Sequence, residues 1–147
     1  MELTDFLKEL RTVLDDVVEQ PTDLVPPYLR PDMQAAWPDA RRSLDRLIEG
    51  VATPSPEDEI RLQEHGLRGP AFQFKVGSFQ RYLRLFRRNR KPRWLKKLLG
   101  WADIILGSLV SIIPGGDALK EFKEAIEQAA DDEDDGSSDA AEAEVPD

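Results

Sequence analysis

The stretch that decides the fold of this chain is its most hydrophobic one, residues 98–113, which read LLGWADIILGSLVSII. As a helix these residues extend for about 24 Å, which is short of the roughly 30 Å hydrocarbon layer of a membrane. Asp103 is the only charged residue in the stretch, and inside a bilayer it would cost about 2.5–3.5 kcal/mol. We therefore predict a helix over residues 93–113 that is buried at the centre of a helical bundle. Insertion of Leu98–Ile113 into a membrane stays open as an alternative.

Helical periodicity continues on both sides of this stretch. Apolar residues recur at three- and four-residue steps from Leu3 to Val18, which predicts an amphipathic helix. Helix start signals stand at Ser55 and Asp117, where a capping side chain precedes the periodic residues. The predicted helices cover about residues 3–18, 39–49 and 55–66, a segment that begins at residue 69, the central apolar stretch, and residues 117–130. We expect turns over the proline-rich residues 22–38 and a helix stop at Gly50.

Two parts of this pattern admit a second interpretation. Residues 71–76 alternate apolar and other residues, as a short strand would, although the helical pattern prevails from Arg81 onward. In the apolar stretch, Gly100, Gly107 and Ser111 form a strip of small residues at helical spacing. Such a strip allows close approach of a neighbouring helix, either in a soluble bundle or in a membrane pair.

Charge is segregated along the chain in three blocks. Residues 1–67 hold 7 basic and 15 acidic residues, residues 68–116 hold 11 and 1, and residues 117–147 hold 2 and 13. The block charges are thus −8, +10 and −11, whereas the whole chain carries −9. The net charge alone would predict repulsion from nucleic acid and anionic lipid, and the central block reverses that expectation locally.

The basic block contains an amphipathic segment, residues 68–97, with 11 basic residues and no acid. Aromatic residues on one helix face and cations on the other are typical of a helix on an anionic membrane surface. The same layout suits the phosphate backbone of nucleic acid, or a helix whose apolar side packs into a protein core. The candidate partner-binding residues are Phe72, Phe79, Phe86 and Trp94 as apolar anchors and Arg81, Arg84, Arg87, Arg88, Arg90, Lys91, Arg93, Lys96 and Lys97 as cations.

Residues 131–147 form an acidic tail whose composition cannot bury enough apolar surface to fold, so we predict that it is disordered. Because it is tethered beside the basic segment, such a tail competes with anionic partners for that segment. Its spacing also resembles a calcium-binding loop, and the matching positions are Asp131, Glu133, Asp135, Gly136, Asp139 and Glu142. Position eight of that loop is Ser138 and the exiting helix is missing, so the sequence leaves calcium binding open.

Several classes of function find no support in the sequence. The absence of Cys excludes disulfides, thiolate metal sites and a cysteine nucleophile. The single histidine, His65, excludes a multi-histidine site, and its place beside Gly66 favours helix capping over catalysis. No motif gathers a nucleophile, a base and an orienting group, so we expect no enzyme, no metal site and no cofactor. The first residues do not resemble a signal peptide, and we expect a cytoplasmic protein that associates peripherally with the membrane.

The sequence therefore predicts an all-α protein, a compact bundle of five or six helices over residues 1–130 with a disordered acidic tail over residues 131–147. We expect a non-enzymatic interaction module that docks on an anionic membrane surface or an acidic protein face, with the tail as an electrostatic restraint. The alternatives are nucleic-acid binding through the same segment and membrane insertion of residues 98–113. Replacement of Arg84, Arg87, Arg88 and Arg90 by Glu is expected to abolish binding without unfolding the bundle.

Overall fold

The computed structural model describes residues 1–133, and within them the chain is built from helices with no strand. The α-helices are α1 (Leu3–Glu19), α2 (Arg30–Ala52), α3 (Pro56–Glu64), α4 (Gly69–Arg88), α5 (Pro92–Val110) and α6 (Asp117–Glu133), and a 3-10 helix, Pro27–Leu29, precedes α2. The prediction of a compact all-α bundle is confirmed.

Five of the helices close into a ring around one core. The helix α5 packs between α4 and α6, α6 also packs on α2, and α2 packs on α1. The ring closes where Phe6 of α1 packs edge-on against Phe72 and Phe79 of α4, with ring centroids 6.4 and 4.8 Å apart. The short helix α3 links α2 to α4 and adds Leu62 to the core.

The apolar helix α5 is buried as predicted. Its buried side chains are Trp94, Leu95, Leu98, Leu99, Ala102, Ile105, Leu106 and Leu109. Burial of each large apolar side chain contributes about 1.5–3 kcal/mol, so this helix is a main source of the stability of the bundle. No helix within residues 1–133 combines the length and the apolar character that crossing a membrane requires.

Asp103, the single charge of the apolar stretch, lies at the interface between α5 and α6. Its Oδ1 atom is 3.2 Å from Nζ of Lys123, whose side chain is 0% exposed. Glu127 pairs with the same ammonium group from one turn further along α6. A buried ammonium group is tolerated only when it is paired and hydrogen-bonded, so Asp103 stabilises the α5–α6 interface.

The second helix differs most from its prediction. It begins at Arg30 rather than near residue 39, because Pro31 lies in its first turn, where proline needs no hydrogen-bond donor. Pro38 lies inside α2 and has no N–H to donate to the backbone carbonyl of Gln34. Gln34 is an exposed residue. Gly50 lies inside the helix and does not end it. A Cβ atom at Gly50 would lie 2.7 Å from Cγ2 of Ile113, so this glycine permits close packing.

Three further predictions are corrected. The strand-like residues 71–76 are helical, α5 ends at Val110 rather than at residue 113, and α6 continues to Glu133 rather than ending near residue 130. The disorder predicted for residues 131–147 is therefore wrong for 131–133, and residues 134–147 lie outside the described residues, with most of the calcium-loop pattern. The small-residue strip faces outward, since a Cβ atom at Gly100 or Gly107 would have no described neighbour within 4 Å.

Candidate functional site

The basic residues of the chain gather where α4 ends and α5 begins. Arg87 and Arg88 occupy the last turn of α4, where a cation is favoured by the negative end of the helix dipole. Lys91 is the N-cap of α5, and the first turn of that helix contains no acidic residue. The positive end of the α5 dipole meets the negative end of the α4 dipole at this corner, so the two dipoles offset each other and the positive charge comes from the side chains. This corner of the bundle is a positive surface that favours anions.

The four aromatic residues predicted as partner anchors lie in the core. The rings of Phe72 and Phe79 are completely buried, and those of Phe86 and Trp94 are nearly so. Trp94 stacks on Tyr82 of α4 with ring centroids 6.3 Å apart. The apolar seam of α4 packs against α1 and α5, so these rings do not lie on the surface that a partner would contact. This corrects the assignment of the four rings to partner binding.

Three of the predicted cations are paired with acids of other helices. Arg87 pairs with Glu9 of α1, and Arg90 pairs with Asp16 of α1 at 2.9 Å. Arg90 also donates to the backbone carbonyl of Gln20 at 2.7 Å. These pairs tie the end of α4 and the connection after it to α1. The four-fold replacement by Glu that was expected to spare the fold would therefore place acids against acids.

The third paired cation is Lys96, whose Nζ lies 2.7 Å from Asp131 near the end of α6. Two further predicted cations, Arg81 and Arg93, lie over the rings of Tyr82 and Trp94 at 5.7 and 5.6 Å from the ring centroids. A guanidinium group over an aromatic face contributes about 0.5–1 kcal/mol at exposed sites. These basic residues thus contribute to the packing of the bundle as well as to its charge.

The remaining predicted cations lie on the outside of α4 and α5. Arg84, Arg88, Lys91 and Lys97 are exposed. Within residues 1–133, Arg88 and Lys91 form no ion pair. Arg84 and Arg88 lie on the outward side of α4, and Phe74 lies on the same side. Steps of three and four residues along the helix connect it to them. The Phe74 side chain is 88% exposed, which is unusual for so large an apolar group.

The exposed aromatic residue has an apolar companion on the neighbouring helix. Ile104 of α5 is 52% exposed, and it belongs to the outward side of α5. The connection between α4 and α5 is three residues long, so the two helices are antiparallel neighbours. Phe74 and Ile104 each lie in the half of their helix that is remote from this connection. We call this surface the α4–α5 face and define it by Phe74, Arg84, Arg88, Lys91, Lys97 and Ile104. It is apolar at one end and basic at the other.

Phe74 is the residue that sequence reasoning missed. In the strand-like interpretation of residues 71–76, Phe74 shares a face with Phe72 and Val76, whereas in the helix it is turned well away from them. Its helical spacing to Arg81, Arg84 and Arg88 was the signal that could have identified it.

Charged groups elsewhere are arranged differently. Asp15 of α1 accepts hydrogen bonds from Trp37 Nε1 at 2.8 Å and from Arg41 Nε at 3.1 Å. The hydrogen bond and the charge of Asp15, with a smaller contribution from Asp45, raise the pKa of Arg41 above its ordinary value. Arg41 therefore stays charged at any ordinary pH, and this α1–α2 cluster is a fixed structural contact.

The candidate for acid–base chemistry serves as a helix cap. His65 is the C-cap of α3, where its backbone N–H donates to Arg61 at 3.0 Å. Its carbonyl oxygen accepts a hydrogen bond from Nζ of Lys75 at 2.8 Å. Within residues 1–133 no group of three or more histidine or acidic side chains is arranged to hold a metal ion.

Comparison with known proteins adds no assignment, since no family model, no curated protein and no solved structure matches this chain.

Proposed function

We propose that this protein docks on an anionic membrane surface through the α4–α5 face. The observation that carries the proposal is the exposure of Phe74 on the same helix stripe as Arg84 and Arg88. Phe74 and Ile104 would enter the boundary between headgroups and acyl chains, and the cations would lie at the lipid phosphates. The anchoring role thus belongs to the exposed Phe74 rather than to the buried rings.

The expected energies are sufficient for reversible association. Each Lys or Arg near an anionic membrane surface contributes about 1 kcal/mol, and the face presents four exposed cations. Removal of a large apolar side chain from water adds about 1.5–3 kcal/mol when burial is complete. The two kinds of contribution are separable, because only the first is weakened by salt.

The acidic residues from Asp131 onward, at the end of α6 and after it, act as a restraint in this proposal. The ion pair between Lys96 and Asp131 supports it, because the first acid of the predicted tail already contacts the basic segment. Acidic residues held at this point compete with lipid headgroups for the cations, since tethering gives them a high effective concentration.

The experiment is co-sedimentation with vesicles of phosphatidylserine and phosphatidylcholine, compared with phosphatidylcholine alone. The variant Arg88→Glu/Lys91→Glu should lose at least about tenfold in binding to the anionic vesicles, given the energy per cation above. The matched control is Lys8→Glu/Arg46→Glu, which changes the net charge equally at exposed positions away from the face. It should bind nearly as wild type does.

Two outcomes would contradict this proposal. Equal losses in both variants would show that only net charge matters. Absence of vesicle binding, combined with binding to duplex DNA that falls steeply with salt, would assign the same cations to nucleic acid.

A further inference from the structure

A groove lies between α2 and α6, on a part of the bundle that shares no residue with the α4–α5 face. It encloses a cavity of about 430 Å³. Its floor is apolar and includes Met33, Phe122 and Ile126, which are nearly buried. The cavity exists because the walls carry small side chains: Ala36 on α2 and Ala125 on α6 are both exposed lining residues. Larger residues at these two positions would close it.

The charged residues that line the groove are all acidic. Asp32 and Asp39 stand on the α2 wall and Glu121 stands on the α6 wall. Asp39 pairs with Arg42. In the described part of the chain, Asp32 and Glu121 form no ion pair, and both are exposed. Negative charge therefore flanks the apolar floor on both sides.

We propose that the α2–α6 groove binds a cationic amphipathic helix of a partner protein. The groove follows α6 from Ala118 to Ala129, a length of about 17 Å at 1.5 Å per residue, which accommodates about three turns of a second helix. Apolar side chains at helical spacing enter such a groove in a known mode of peptide recognition. Lysine or arginine side chains on the two flanks of that helix would meet Asp32 and Glu121.

The acidic residues on the walls of the α2–α6 groove determine which kind of ligand can bind there. The acidic residues of the chain's own C-terminal block carry the same charge as the rim and would be repelled. An uncharged apolar ligand would fill the floor but would leave the acids on both walls without a role. A cationic helix uses both features, so its binding should depend on the floor for affinity and on the rim for selectivity.

The probe is a lactam-stapled helical peptide of three turns, with leucines on one face and lysines on both flanks, together with an analogue in which glutamates replace the lysines. Titration calorimetry at about 0.15 M salt, where the Debye length is about 8 Å, limits general attraction to the acidic protein. The full chain should bind the lysine peptide one to one and should not bind the glutamate analogue.

Groove variants separate this site from general charge attraction. Ala36→Arg and Ala125→Arg, one on each wall, should each weaken binding at least about tenfold, because the long side chain fills the cavity and neutralises the rim. Gln34→Arg is the matched control, since Gln34 is an exposed residue of α2 that does not line the groove and is not at three- or four-residue spacing from Asp32 or Asp39. It adds the same charge and should bind as wild type does.

The outcomes decide the proposal independently of the membrane proposal. Absence of binding, equal binding of both peptides, or equal weakening by Gln34→Arg and Ala36→Arg would each overturn the groove assignment. Circular dichroism establishes that each variant keeps its helical fold. Vesicle binding by Ala36→Arg should equal that of wild type, so failure at one surface leaves the other test intact.

Discussion

On the α4–α5 face an aromatic ring protrudes into solvent beside cations, whereas in the α2–α6 groove two alanines leave a cavity beside acids. In both places the side-chain size departs from what packing of the bundle requires. Phe74 is 88% exposed, and Ala36 and Ala125 are small residues that line a cavity of about 430 Å³.

The net charge of −9 therefore describes neither surface. Segregation of charge along the chain becomes segregation in space because the basic block forms α4 and α5, while the groove lies between α2 and α6. The two surfaces are physically joined through the α5–α6 interface, where Asp103 and Lys123 pair. Three predictions test how separate they are.

The largest effect is expected for a substitution at the α5–α6 interface, which lies between the two surfaces. Asp103→Leu removes one of the two carboxylates that partner the fully buried Lys123. The free energy of unfolding should fall by about 1–3 kcal/mol, the penalty for an incompletely paired buried polar group. Urea denaturation measures the change, and Asp132→Leu, at an exposed position near the end of α6, is the control. A fully stable variant that partitions more strongly into vesicles would instead favour membrane insertion of the apolar stretch.

A smaller effect, on vesicle binding, is expected for a substitution that alters only the α4–α5 face. Phe74→Ala should reduce binding to phosphatidylserine vesicles by about tenfold, since a fully buried Phe contributes about 1.5–3 kcal/mol and a factor of ten corresponds to about 1.4 kcal/mol. Unfolding by urea should not change, because the ring is exposed. Ile60→Ala removes another exposed apolar side chain, 55% exposed on α3, and should leave vesicle binding unaltered. Comparable losses in both variants would refute a specific role for Phe74.

The smallest effect is expected for removal of the acidic residues from Asp131 onward. A chain that ends at Ala130 lacks Asp131, the partner of Lys96, and the acids that follow it. It should bind anionic vesicles a few-fold more tightly, because these acids compete with lipid for the cations. The difference should disappear at about 1 M salt, where the Debye length is about 3 Å. Tighter binding by the full chain would exclude a restraining role.

Much of the fold could be predicted because periodicity and capping are local properties. The helices that begin near Leu3, Pro56, Gly69 and Asp117 follow from apolar spacing, prolines and caps. The start of α2 could not be predicted in this way. Four prolines within residues 22–38 indicate turns, yet Pro31 lies in the first turn of α2 and Pro38 leaves only the carbonyl of the exposed residue Gln34 without an intrahelical donor, so neither prevents the helix.

The candidate site was predicted in part. Helical spacing correctly separated the apolar side of α4 from Arg84 and Arg88, but periodicity alone cannot tell whether an apolar seam faces a core or a membrane. The pairing of Arg87 with Glu9 and of Arg90 with Asp16 depends on α1 and α4 being neighbours. That adjacency joins residues more than seventy positions apart, and no local pattern contains it.

Pro38 also affects how the wall of the groove exchanges its amide hydrogens. It removes one backbone hydrogen bond from α2. The missing bond separates the first turns, which carry Asp32 and Ala36, from the buried turns around Leu44 and Leu47. The first turns of α2 can therefore open as a unit while the remainder stays closed. Amides of residues 34–37 should exchange faster than those of residues 44–48, and an occupied groove should slow the first set alone.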